Sequence, residues 1–125
     1  MNPKIILIVD DEPDVVAYLR VLLEDNGYET VTASNGKEGF DAAKKLHPAL
    51  ITLDVTMPEE SGVRMFRDLQ EDSKLSTIPV IMVTGVSGDF QQFISSRRQV
   101  RPPDAYFEKP IDKTKFVATV NRLTA

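Results

Sequence analysis

Leu50-Ile51-Thr52-Leu53-Asp54-Val55-Thr56-Met57-Pro58 is the stretch on which the reading of this chain turns. Ala49 to Leu53 is a short apolar run of strand type, and it delivers one carboxylate, Asp54, to its end. Met57-Pro58 and Gly62 then prevent the strand from continuing. In an open α/β sheet the carboxyl ends of the strands are where ligands bind. Asp54 therefore reads as a chemical fixture, and the question is what the remaining residues bring to it.

Working outward, Lys4-Ile5-Ile6-Leu7-Ile8-Val9 is a second apolar run, suited to a strand buried on both faces. It ends in Asp10-Asp11-Glu12-Pro13, where acids and a proline favour a helix start. Val15, Leu19, Leu22 and Leu23 recur at helical spacing up to Asn26-Gly27. Tyr28 to Thr32 is strand-like, and Ser34-Asn35-Gly36 is a turn and cap. Phe40, Ala43 and Leu46 form the next helical stripe, ended by His47-Pro48. Beyond Asp54, Ser61-Gly62 opens a helix with Val63, Phe66 and Leu69 facing inward, and Asp72 to Thr77 is a polar connection. Ile78 to Val83 is the fourth strand, ending at Thr84-Gly85, and Phe90, Phe93 and Ile94 suggest a short helix. Arg97 to Pro103 is a basic, proline-ended loop. Ala105-Tyr106-Phe107 is a short fifth strand that leads into Lys109-Pro110, and Asp112 caps a last helix faced by Phe116, Val120 and Leu123. Strand–helix alternation of this kind predicts a parallel sheet with helices on both faces. Residues 1–125 read as one domain.

Composition narrows the chemistry. The 125 residues carry a formal net charge of −4, which argues against nucleic-acid or membrane-surface binding as the main task. With no cysteine there is no disulfide, thiolate or cysteine-based zinc chemistry, and one histidine, His47, is too few for a histidine-rich metal site. No apolar run has the length of a spanning helix, and no signal peptide is visible, so the expected location is cytoplasmic.

If the strands are parallel, Asp10, Asp11, Asp54, Thr84 and Lys109 gather at one sheet edge. Three neighbouring carboxylates repel one another and call for a cation. A hard, oxygen-liganded Mg²⁺ fits. Asp54 can then act as nucleophile toward a phosphoryl group, with Lys109 offsetting charge on its oxygens and Thr84 hydrogen-bonding one of them. Each residue also has a plainer reading: Asp10 to Glu12 as helix-start acids, Thr84 as a cap, Tyr106 as a core aromatic, and the arginines of 97–101 as a solvated face. It is the combination that points to phosphoryl transfer.

In Asp10-Asp11, Asp54 with Met57-Pro58 and Gly62 behind it, Thr84, Tyr106 and Lys109-Pro110, the chain resembles two-component response-regulator receiver domains, from Lys4 to about Leu123. The resemblance implies a flavodoxin-like fold, a five-stranded parallel sheet in order 2-1-3-4-5. It implies Asp54 as phosphoacceptor, with Mg²⁺ held by Asp10, Asp11, Asp54 and the backbone carbonyl of Thr56. It further implies Lys109 as phosphate partner, a cis Lys109-Pro110 bond, and a Thr84/Tyr106 switch. The expected partners are a sensor histidine kinase or phosphotransfer protein and an unidentified downstream protein, with no nucleic acid and no membrane. Two departures stand out. Gly85 replaces the usual alanine, and the stretch from Gly88 to Asp104 is longer than usual, which places docking through that face in doubt. The rival reading is an interaction module that uses the fold without phosphorylation. A turnover hydrolase is disfavoured, because Thr56 occupies the place of its second catalytic carboxylate; slow self-hydrolysis is the most expected.

Overall fold

The computed structural model describes residues 3–85 and 102–125. Its elements are β1 (Ile5–Val9), α1 (Pro13–Asp25), β2 (Glu29–Ala33), α2 (Gly36–Leu46), β3 (Leu50–Asp54), α3 (Ser61–Glu71), β4 (Val80–Thr84), β5 (Ala105–Glu108) and α4 (Lys113–Leu123). The sheet order is β2-β1-β3-β4-β5, and all four pairings are parallel. Every carboxyl end among these strands therefore lies at one edge. The helix expected around Phe90, Phe93 and Ile94, and the arginines Arg97, Arg98 and Arg101, lie outside the described residues. Among the described residues no helix is long and apolar enough to cross a membrane.

Alternation along the strands divides the core in two. Leu7, Val9, Ile51, Leu53, Val80 and Met82 face one side, where Val63, Met65, Phe66 and Leu69 of α3 and Ala43 of α2 cover them. Ile6, Ile8, Leu50, Ile81 and Val83 face the other, under Leu19 and Leu23 of α1 and Phe116 and Val120 of α4. Residues 50–54 and 80–84 are buried throughout, as expected of central strands covered on both faces. Each such aliphatic side chain contributes about 1.5–3 kcal/mol by leaving water. On the α4 side Phe107 meets Phe116 edge to face, ring centroids 5.4 Å apart.

Three expectations need correction. Leu46 is not on the inner face of α2 but 40% exposed. The inner face of that helix is built from Gly36, Gly39 and Ala43. A Cβ on Gly39 would lie 2.7 Å from Met65 Sδ and 2.8 Å from Val9 Cγ2, so α2 packs against α3 and β1 by having no side chain there. Second, the strand read from Ile78 begins at Val80. Pro79 precedes it and still uses its carbonyl, which accepts from Ile51 N–H at 3.0 Å. Third, the connection after Asp72 is not merely polar. It contains a 3₁₀ turn at Leu75–Thr77 with Leu75 buried, and Asp72 Oδ1 accepts from the N–H groups of Lys74 and Leu75. Those bonds hold the Asp72 carboxyl below its ordinary pKa.

Glycines near Asp54 make contrasting demands. A Cβ at Gly62 would sit 2.2 Å from the Asp54 carbonyl oxygen, so α3 can lie against the end of β3 only with hydrogen there. At Gly85 the nearest atoms to an added Cβ are 3.9 Å away, an ordinary contact. Gly62→Ala is expected to lower stability by about 1–3 kcal/mol, whereas Gly85→Ala leaves it unchanged or raises it by up to about 1 kcal/mol. Urea denaturation of the two variants checks this; equal effects would contradict the close approach described.

Candidate functional site

Asp54 closes β3, one residue past the last pair with β1 and opposite Val83 of β4, and it is buried, with 1% of the residue exposed. One of its oxygens is held from behind. Thr56 N–H and Thr56 Oγ1 both donate to Asp54 Oδ1, at 2.8 and 2.7 Å. The other oxygen, Oδ2, faces Lys109 Nζ at 3.4 Å. Asp10, at the end of β1, is also buried at 3% exposure, and its Oδ1 accepts from the Glu12 N–H at 2.9 Å. Asp11 and Glu12 are exposed at the rim. Carboxylate oxygens of Asp10, Asp11, Glu12 and Asp54 lie within 4.8 Å of one another. A cleft of about 370 Å³ opens beside Asp10 and Asp11, bounded by Pro13, Thr32 and Ser34.

The electrostatics follow from burial. Loss of water pushes the Asp10 carboxyl up to about 6; the Glu12 N–H opposes this, and the nearby Asp54 carboxylate adds to it. Lys109 reaches across from the end of β5, where its N–H donates to the Thr84 carbonyl at 2.8 Å. Burial works against its ammonium, but the hydrogen bond to Glu12 and the charges of Asp54 and Asp10 prevail and push it up to about 12. Its Nζ lies 2.5 Å from Glu12 Oε1 and 3.3 Å from Asp10 Oδ2. The Lys109-Pro110 peptide bond is cis.

Thr84 is fully buried at the end of β4 and pairs in register with Glu108. Tyr106, two residues upstream on β5, packs against the core side that α3 covers, and its hydroxyl is enclosed. Burial raises the Tyr106 phenol above its ordinary value, the Thr84 hydroxyl opposing. Thus Asp10, Asp11, Asp54 and Lys109 meet at one place. Thr56 engages Asp54 by its hydroxyl and N–H as well as lying within the turn. Thr84 and Tyr106 neighbour each other beside the cluster. Two features escaped the sequence: the Thr56 hydroxyl on Asp54, and Glu12 as the nearest anion to Lys109. Neither has a spacing signature, since both depend on how a loop turns.

The donor set is all oxygen and carries several negative charges in a small volume. It fits a hard divalent cation such as Mg²⁺ and does not fit a soft one.

Comparison with known proteins agrees with this architecture. The family model for the response regulator receiver domain matches residues 6–121. A polar-differentiation response regulator, DivK, of Brucella anthropi is 37% identical over 120 residues, covering 94% of each chain. The signal receiver domain of a signal-transduction histidine kinase from Syntrophus aciditrophicus superposes with a TM-score of 0.84 at 34% identity, over 97% of this chain and 89% of that one. The receiver domain of a Pseudomonas aeruginosa sensor histidine kinase, crystallised with magnesium in its active-site cleft, shares the fold with a TM-score of 0.85 at 19% identity, over 98% of each chain.

Asp10 carries a cost that can be measured. Its carboxyl pKa is raised in the folded state, so the folded chain holds more protons than the unfolded one between about pH 4 and 6 and loses stability as pH rises through that window. Asp10→Asn keeps an oxygen for the Glu12 N–H and removes the charge. With divalent cations chelated, it is expected to raise stability at pH 7.5 by about 1–3 kcal/mol, the gain shrinking below pH 5. Urea midpoints across pH give the answer; a lowered midpoint at pH 7.5 would mean that the Asp10 charge is favourable where it sits.

Proposed function

The chain belongs to the response regulator receiver domain family, and from that membership we propose that Asp54 is the residue that accepts a phosphoryl group in two-component signalling. The observation that carries the reading is the approach of Lys109 Nζ to within 3.4 Å of Asp54 Oδ2, with the acid pair alongside. A carboxylate, a fixed ammonium and a cluster of cation-seeking oxygens are what phosphoryl transfer asks of a protein, because most of its catalysis is positioning and charge.

In this reading Asp54 Oδ2 attacks phosphorus on a phosphohistidine of a sensor kinase or phosphotransfer protein. An O–P bond forms, the N–P bond breaks, and the imidazole leaves and takes up a proton. Thr56 keeps Oδ1 engaged and so orients the carboxylate. Lys109 pairs with a phosphoryl oxygen, and the buried Thr84 hydroxyl is the next donor available to it. Asp10, Asp11 and Asp54, with the Thr56 carbonyl, would hold Mg²⁺, which supplies charge neutralisation to the transferring group when bound. Magnesium in the cleft of the Pseudomonas receiver supports this choice of ion, and the oxygen donors here support it independently.

The output is a change of protein-binding surface. The Thr84–Tyr106 pair lies beside the site, and Tyr106 is already turned inward, so phosphorylation would act on that pair by drawing on the Thr84 hydroxyl. Receiver domains are signalling domains. Position 56 holds threonine, where a hydrolase would place its acid–base carboxylate two residues after the nucleophile, and self-dephosphorylation is expected to be slow.

Incubation with acetyl phosphate and Mg²⁺ tests the assignment by intact mass. One added phosphoryl group is expected, absent without Mg²⁺ and absent in Asp54→Asn. A modification that persists in Asp54→Asn would remove Asp54 from its role.

A further inference from the structure

Glu12 is the residue that phosphoryl transfer leaves without a task. It occupies the N-cap position of α1, yet its side chain caps nothing there. Its Oε1 instead lies 2.5 Å from Lys109 Nζ, nearer than Asp10 Oδ2 at 3.3 Å or Asp54 Oδ2 at 3.4 Å. The side chains of Asp10 and Asp54 are 2% and 1% exposed, whereas that of Glu12 is 57% exposed. The anion closest to the ammonium is therefore the one at the exposed rim of the site. The Glu12 N–H is fixed on Asp10 Oδ1, which sets where its side chain begins.

We propose that Glu12 is a positioning residue, a latch that draws the Lys109 ammonium toward the mouth of the cleft and gives it up when Asp54 is phosphorylated. The proposal rests on the reading of Asp54 and Lys109 given above. Lysine is a compact charge on a flexible stem, so its Nζ can shift between anions with little rearrangement. In the unmodified site the rim glutamate wins the shortest contact. A phosphoryl group brings more charge and three acceptor oxygens, and the balance turns inward. The latch thus lowers affinity for the phosphorylated arrangement by the strength of one exposed ion pair, since any ligand that needs Lys109 inside must first compete with Glu12.

Glu12→Gln removes the charge; Glu12→Asp keeps it but shortens the side chain by one methylene, too short for the present contact. Titration with beryllofluoride, a phosphoryl mimic, at saturating Mg²⁺ reads the effect. Both variants are expected to bind it about two- to fivefold more tightly than the wild type, the range of an exposed ion pair. Their Mg²⁺ affinity should match the wild type, and the gap should close near ~1 M salt, where such a pair is screened. A gain in Glu12→Gln that Glu12→Asp does not share would assign the effect to charge at a distance and overturn the latch. Weaker Mg²⁺ binding in either variant would make Glu12 a metal ligand instead, and unchanged beryllofluoride binding would equally refute the proposal. If the wild type itself binds no beryllofluoride with Mg²⁺, or Asp54→Asn binds it as well, the phosphoacceptor reading falls and the latch with it. Wild-type binding that is identical across the Glu12 variants overturns the latch alone.

Discussion

Two carboxylates almost without solvent, Asp10 and Asp54, face one ammonium, Lys109, and much of the molecule is arranged so that they can do so. Taking a carboxylate out of water is unfavourable, and a second one beside it adds to the cost, as the raised Asp10 pKa records. The fold tolerates this because its core lies on both sides of the sheet and not at its edge. Two buried clusters hold the strands, and the strand ends are left to carry charge. A parallel arrangement is what makes that edge possible, since it brings residues far apart in sequence to the same end of the sheet.

Helix placement serves the same end. Glycine at positions 36 and 39 lets α2 lie close against Ser61 and Met65 of α3 and Val9 of β1, and glycine at 62 lets α3 lie close against the end of β3. The third of these sets α3 against the carbonyl of Asp54 itself, so the acid is held from its own backbone outward. On the opposite face the turn after α1 is tied to α4 by Tyr28, whose hydroxyl donates to Asn121 Oδ1 at 2.5 Å, and Lys4, just before β1, reaches the Thr124 carbonyl beyond the end of that helix. Strand ends thus emerge from a scaffold fixed on both sides.

The sheet was legible because apolar runs such as Ile6 to Val9 and Leu50 to Leu53 have no other stable use than central strands, and their sequence spacing implies crossovers. The acids and Lys109 were legible because each stands directly at the end of such a run. Less legible were features in which the absence of a side chain is the signal. The apolar stripe of α2 runs in the sequence through Leu46, which faces water, whereas the inner face passes through two glycines that no hydropathy pattern marks. Turn-borne contacts were also hidden. Glu12 reads in the sequence as one more helix-start acid, and the resemblance gives Thr56 a backbone role alone, its carbonyl toward the metal. Their roles arise from backbone directions that strand and helix periodicity do not encode. Gly85, singled out as a departure, has an ordinary environment that alanine would also suit.

The two oxygens of Asp54 are not equivalent. Oδ1 already accepts from both the amide and the hydroxyl of Thr56, while Oδ2 faces the Lys109 ammonium. Oδ2 therefore keeps more accepting capacity than Oδ1, which Thr56 engages twice. A neighbour two residues on thus makes the two ends of one carboxylate chemically unequal.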